Sequence, residues 1–211
     1  MEHVILFAKT PRLHEVKTRL MPALTAAQAL ALHESMLADQ SAFVRSLAGA
    51  TRTCEVCLDA MQGDGDLGAR MERALGRALS SGAHRAAILG ADAPTLPRAL
   101  VEEAFELLAR GADAAIVPAT DGGYVLVGAS RPVPALFRGV PWGTPSVLAT
   151  TREHAREAGL VLLETSPWAD VDVEADLSRL ACELVADPSR APATAAALSR
   201  LGLYAPQDPM V

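Results

Sequence analysis

The sequence predicts an α/β fold: a single domain built as a three-layer α/β/α sandwich around a mostly parallel central sheet. Short apolar runs alternate with longer helical patterns along the chain, the rhythm of strand–helix–strand units. Half of the 211 residues are apolar and only 4% are aromatic, which suits an aliphatic core under Ala-, Leu-, Glu- and Arg-rich helices. No repeat, linker or low-complexity segment interrupts the pattern. Residues 1–203 are therefore read as one domain, and the tail "YAPQDPMV" (204–211) as flexible.

The elements follow in order. "HVILFA" (3–8) is a continuous apolar run and predicts a buried first strand. Thr25 with Gln28 forms a capping box, opening a helix that runs to about Leu47 and stops at Gly49. "TCEVCL" (53–58) predicts a second strand and residues 67–79 a helix. "AAILG" (86–90) predicts a third buried strand. A helix follows with Pro97 in its first turn and ends before Gly111. "DAAIVP" (113–118) and "YVLVG" (124–128) are further strands, residues 145–158 a helix, and "LVLLE" (160–164) the last strand. Helical stretches near 174–185 and 193–201 close the chain.

Charge and composition exclude several classes of function. A net charge of −6 and a pI near 5.4 argue against a nucleic-acid partner, which would require a basic face. No apolar run reaches the roughly 20 residues that span a bilayer, so no membrane partner is expected. Three cysteines, with Cys182 remote from the other two, do not make a disulfide framework. Together with the absence of a signal-peptide pattern, this points to the cytoplasm. A homodimer is compatible with the sequence.

Chemistry in an open parallel sheet sits at the carboxyl ends of the strands. After the first strand come Lys9, Arg12, Lys17 and Arg19, with Glu15 the one acid among them; Lys9 and Lys17 are the two lysines of the chain. After the third strand comes Asp92, after the fourth Asp121-Gly122-Gly123, and after the last Asp170 and Asp172. Cations facing carboxylates at one sheet edge suit a polyphosphate bridged by a divalent metal. Each signal also has a plain structural explanation. A basic loop can be a solvated face, with Lys17 a surface lysine of few packing contacts. "DGG" can be a tight turn, and Asp170 and Asp172 can start the next helix. Asp92 fits an N-cap poorly, because the next helix has its own start at Pro97.

Other motifs carry less. "GDGDLG" (63–68) spells G-x-G-x-x-G, but it follows the second strand across a loop and its interior acids, Asp64 and Asp66, would repel a pyrophosphate. Cys54 and Cys57 form C-x-x-C inside a strand pattern, where positions three apart face opposite sides, so they read as small buried residues. His14 lies in the basic loop and could touch substrate, whereas His33, His84 and His154 read as surface or helix residues.

With those residues in hand, the chain resembles the bacterial DUF2064 family of the nucleotide-diphospho-sugar transferase superfamily. The matching pieces are "FAKTPRLHEVKTRL" (7–20), "QGDGDLGARM" (62–71), "LGADAPTLP" (89–97), "PATDGGYVLVG" (118–128), "LFRGVPWGT" (136–144) and "DVDVEADL" (170–177). The resemblance implies a GT-A fold and a metal-dependent glycosyltransferase using a nucleotide-diphospho-sugar donor with Mg²⁺ or Mn²⁺. It extends to the small nucleotidylyltransferases of cofactor biosynthesis, which join a nucleoside triphosphate to a phosphorylated acceptor and release pyrophosphate. It implies that Ala8, Lys9, Arg12, Lys17 and Arg19 hold the nucleotide phosphates. Asp92, with Asp170 or Asp172, would hold the metal. Asp121, Gly122, Gly123, Tyr124, Trp142 and Thr144 would lie near the sugar or acceptor, with Asp92, Lys17 and Asp121 catalytic. His14 stands where the family has Gly, Gly143 where it has Ser, and Val173 where it has Thr. "DGGY" lacks the Asn of the nucleotidylyltransferases. A non-catalytic nucleotide-binding or interaction module is the remaining reading.

Overall fold

The computed structural model describes residues 1–203; the tail expected to be flexible, 204–211, lies outside the described residues. The strands are β1 (Glu2–Ala8), β2 (Arg52–Leu58), β3 (Arg85–Gly90), β4 (Ala114–Pro118), β5 (Tyr124–Ala129) and β6 (Leu162–Glu164). The helices are α1 (Ala26–Leu47), α2 (Asp59–Gln62), α3 (Leu67–Ser80), α4 (Arg98–Ala109), α5 (Val147–Glu157), α6 (Glu174–Ala186) and α7 (Pro192–Arg200). The strands form one sheet in the order β2-β1-β3-β5-β4-β6.

β1 pairs in parallel with β2 and β3, aligning Phe7 with Cys57 and Gly90. The loops that follow these three strands therefore leave from the same edge. β5 is the reversed strand, antiparallel to β3 and β4. The reason is chain length: residues 119–123 make a hairpin, whereas a parallel crossover needs about a dozen residues. β6 starts later than the apolar run suggests. The Val161 amide donates to the Asp113 carboxylate and its carbonyl accepts from Asp113 and Ala114, so residues 160–161 serve a side-chain staple before the ladder begins.

Alternate residues of the strands face two apolar layers, as pleating requires. Val4, Leu6, Leu89 and Val117 pack under α1 and α4, and Ile5, Phe7, Ile88 and Ile116 under α3 and α5. A third cluster joins α1 to α6 and α7 through Leu32, Met36, Leu180 and Leu184. The capping box of α1 is present: the Thr25 side chain accepts from the Gln28 amide and the Gln28 side chain accepts from the Thr25 amide. Pro97 lies one residue before α4 rather than in its first turn. Cys54 and Cys57 pack on opposite faces of the sheet, and burial pushes both thiols above their ordinary range. Among the described residues no helix is long and apolar enough to cross a membrane.

Candidate functional site

The loop after β1 folds back over the carboxyl edge of the sheet. Two of its residues adopt left-handed backbone, His14 (φ 64°) and Lys17 (φ 50°). The reversal buries Val16 and Leu20 and points Lys17 inward. The Lys17 side chain is only 4% exposed, with Nζ 2.5 Å from Asp92 Oδ1 and 2.5 Å from the Val171 carbonyl. The Val171 amide donates to the Asp92 carbonyl at 2.9 Å, and Arg19 pairs with Asp172. Three loops distant in sequence are thus joined. The expectation of a surface lysine with few contacts is overturned: Lys17 is a buried cation between two loops, because the left-handed turn aims it there.

The plain structural roles weighed for Asp170 and Asp172 fall to another residue. Asp176 accepts the amides of Asp172 and Val173 at 2.9 Å each and so caps the start of α6. The Asp92 side chain is 53% exposed, and such desolvation as the cleft imposes would raise its carboxyl; the charge and hydrogen bond of Lys17 outweigh it and hold the carboxyl below its usual range. Asp170 goes the other way, pushed up to about 6, first by burial and then by the charges of Asp121 and Asp92. Asp92, Asp121 and Asp170 thus share one space.

The β4–β5 hairpin supplies the opposite wall. Asp121 Oδ1 accepts from the Gly123 amide at 2.9 Å, an Asx turn. Gly122 (φ 94°) presses so close to the next loop that a Cβ would lie 2.1 Å from the Pro145 carbonyl, and its own carbonyl takes the Leu148 amide at 2.8 Å. "DGG" is therefore a tight turn and a cleft wall at once. Tyr124 meets Trp142 edge to face at 6.2 Å, and Thr144 Oγ1 donates to the Pro141 carbonyl at 2.8 Å. The "GDGDLG" segment is the entry to α3, capped by Asp66 on the Ala69 amide. A Cβ on its Gly68 would strike the Phe137 carbonyl at 2.3 Å and the Trp142 ring at 2.9 Å. That glycine lets the indole settle.

Together these groups border a cleft of about 480 Å³. Its charged part is lined by Lys9, Lys17, Arg19, Asp92, Asp170 and Asp172, with Ala8, Asp121, Gly123, Tyr124, Trp142 and Thr144 also on its walls. Gly122 is held against Pro145 and does not line the cleft. Neither does Arg12: it turns to Glu15 (3.3 Å) and Asp59 (3.8 Å) on the outside of the loop. His14 is exposed and also outside the lining.

Among the polar lining residues that escape sequence reasoning, three stand out. His33 of α1 is buried, donates from Nε2 to the Lys9 carbonyl (3.2 Å), and leaves Nδ1 without a partner among the described residues. Burial holds its pKa below the ordinary value. Gln62 is buried and Arg70 half-buried. Arg70 lies within the quoted "QGDGDLGARM" stretch, and its basic character there was the available signal.

Among the described residues no group of three or more His, Cys, Asp or Glu side chains could hold a metal ion. The donors present are the carboxylate oxygens of Asp92, Asp121, Asp170 and Asp172 on one cleft. That set fits a hard ion such as Mg²⁺, which takes one or two carboxylates and completes its shell with substrate oxygens and water.

Residues 23–144 match the sequence profile of DUF2064, described as an uncharacterized protein conserved in bacteria. The basic loop and Asp170–Asp172 lie outside that span. A crystal structure from Desulfovibrio desulfuricans G20, provisionally assigned as a nucleotide-diphospho-sugar transferase, is 30% identical with a TM-score of 0.84, covering 95% of each chain. Two more distant structures overlap in part. A cytidylyltransferase from Leptospira borgpetersenii serovar Hardjo-bovis is 10% identical (TM-score 0.46, covering 100% of this chain and 98% of that one). A CMP:2-keto-3-deoxy-manno-octonic acid synthetase in complex with CTP is 12% identical (TM-score 0.47, 89% and 100%). No curated protein matches the sequence. With a profile match across more than half its length and a relative at this identity along nearly all of it, the chain belongs to the DUF2064 family and has a nucleotide-diphospho-sugar transferase-like fold.

Proposed function

We propose that the chain is a metal-dependent glycosyltransferase-like enzyme with a GT-A-like site, taking a nucleotide-diphospho-sugar donor with Mg²⁺ or Mn²⁺. The observation that carries this reading is the stitching of the basic loop to two carboxylate loops: Lys17 spans Asp92 and Val171 while Asp170 and Asp121 face the same space. Lys9 and Arg19 would bind the diphosphate oxygens. Lys17 holds Asp92 ionised and in place. Asp92 and Asp170 would hold the ion, which when bound offsets charge building on the departing nucleoside diphosphate. Asp172 is engaged by Arg19 and would join only if that pair opened.

Asp121 Oδ1 is held by Gly123, which leaves Oδ2 to take the proton of an acceptor hydroxyl. The acceptor oxygen bonds to the anomeric carbon, the bond from that carbon to the diphosphate breaks, and its electron pair leaves with the nucleoside diphosphate. A diphosphate suits this cleft better than a triphosphate. Arg12 lies outside it, and Lys17 is already balanced by Asp92, which leaves Lys9 and Arg19 for the phosphates.

The test measures product release. Sugar nucleotides incubated with the protein should yield nucleoside diphosphate with Mg²⁺ and not with chelator, and Asp92→Ala should abolish it. Pyrophosphate release from nucleoside triphosphates, with no turnover of any sugar nucleotide, would replace this reading with nucleotidylyl transfer.

A further inference from the structure

We propose that Arg70 forms a second anion site in the cleft, which binds the carboxylate or phosphate group of the acceptor; this role as acceptor site rests on the transferase reading above. Lys9, Lys17, Arg19 and Arg70 are the lysines and arginines on the cleft lining. Lys17 and Arg19 are matched by Asp92 and Asp172. Arg70 has no carboxylate within ion-pair distance among the described residues, although the chain pairs most of its arginines.

Its position is fixed. Nε donates to the Asp66 carbonyl at 3.3 Å and Nη1 to Gln62 Oε1 at 3.0 Å. Gln62 is itself committed, its amide nitrogen donating to the Ala8 carbonyl at 2.9 Å and the Cys57 carbonyl at 3.1 Å. Nη2 is left without an acceptor among the described residues. A planar guanidinium anchored at Nε and Nη1, with Nη2 left over, offers an oxyanion its remaining N–H groups in a defined direction.

The surroundings of this site come from the α3 side of the cleft. Arg70 is on α3, which covers the opposite face of the sheet from α1 and its His33. Leu67, Met71, Tyr124 and Trp142 line the same part of the cleft. They provide an apolar, partly aromatic wall for the body of a small organic anion, and the low local polarity strengthens the pull of Arg70.

Phenyl phosphate and benzoate are suitable probes, read by the fluorescence of Trp142 in a Trp168→Phe background, Trp168 being the second tryptophan of the chain. The expected result is that at least one binds the wild-type protein and is not displaced by UDP or GDP with Mg²⁺. Arg70→Gln should weaken that probe about tenfold or more while leaving nucleotide–Mg²⁺ binding within about twofold. Binding of phenyl phosphate alone assigns a phosphate acceptor, and of benzoate alone a carboxylate. Asp92→Ala should do the reverse, losing the nucleotide and keeping the probe. If the wild type binds probe but no nucleotide, the donor reading fails and the Arg70 site stands. If neither probe binds, if nucleotide displaces the probe, or if Arg70→Gln weakens both ligands alike, the Arg70 proposal is overturned. Should Arg70→Gln not fold, Arg70→Lys carries the test: keeping the charge but losing the fork, it should weaken benzoate about tenfold, and unchanged affinity would overturn the site.

Discussion

The two edges of the sheet treat charge in opposite ways. At the amino edge Glu2, Arg52 and Arg85 open β1, β2 and β3 side by side. Arg52 lies 2.7 Å from Glu2 and 2.6 Å from Glu102, with its guanidinium 4.6 Å above the Phe105 ring. Arg85 adds a contact to Glu2 at 3.4 Å. Hydrogen bonding to Arg52 holds the Glu102 carboxyl below its usual range, and Arg52 is raised further above its own. Every partner there is present. At the carboxyl edge Asp170 is raised to about 6, and neither Lys9 nor Arg70 has an ion-pair partner among the described residues. One edge closes its charges into a network that fastens strands; the other leaves Lys9 and Arg70 outside its ion pairs among the described residues.

The comparison breaks first at Asp92. Asp92→Asn should lower turnover about a thousandfold, near 4 kcal/mol of barrier, because it removes a charge placed for the transition state. Steady-state kinetics on a folded variant decides it, and near-normal turnover would make the carboxyl edge a structural network like the other.

Arg52→Met should show the opposite pattern. It removes the shared partner of Glu2 and Glu102, which keep only Arg85 and Arg98, and should cost about 1–2 kcal/mol of stability in denaturant melts, without changing nucleotide affinity. A loss of nucleotide affinity at constant stability would erase the distinction between the edges.

Asp170→Asn sharpens the comparison through pH. The folded-state pKa of Asp170, about 6, is raised above its ordinary 3.8. Its contribution to stability is therefore full below about pH 4 and is lost as pH rises through 6. The Asn variant lacks that loss and should be more stable than wild type at pH 8 by about 1 kcal/mol after solvent screening, with less difference at pH 4. Parallel pH–stability curves would contradict the crowded-carboxylate account.

The smallest effect is expected at His14. Its left-handed backbone suits glycine, which pays no steric penalty there. His14→Gly should stabilise the protein by up to about 1 kcal/mol in melts, less the entropy glycine adds to the unfolded chain. Destabilisation would mean that the imidazole packs usefully.

The order of strands and helices was legible because it rests on local periodicity. The basic loop and the acidic strand ends were legible because the sheet collects strand termini at one edge. Partner choice was not. Lys17 meets Asp92 and Val171, and Arg19 meets Asp172, across more than 150 residues of chain in the cases of Val171 and Asp172. The reversal at Lys17 depends on a left-handed residue that is not glycine, so no turn signal marks it. Arg12 shares the loop's composition yet faces outward, since spacing alone does not fix direction once the chain leaves a regular element. His33 and Arg70 sit on helices, where one residue's shift in phase decides between solvent and cleft. The reversed β5 was foreseeable from the five-residue hairpin.

The most direct measurement is the melting temperature of the full chain with Mg²⁺, with a sugar nucleotide, and with both. The account predicts that both together raise it by more than the sum of the separate shifts, and that Asp170→Asn removes the excess. Shifts that merely add, or an excess that survives without Asp170, would contradict a shared metal–diphosphate site.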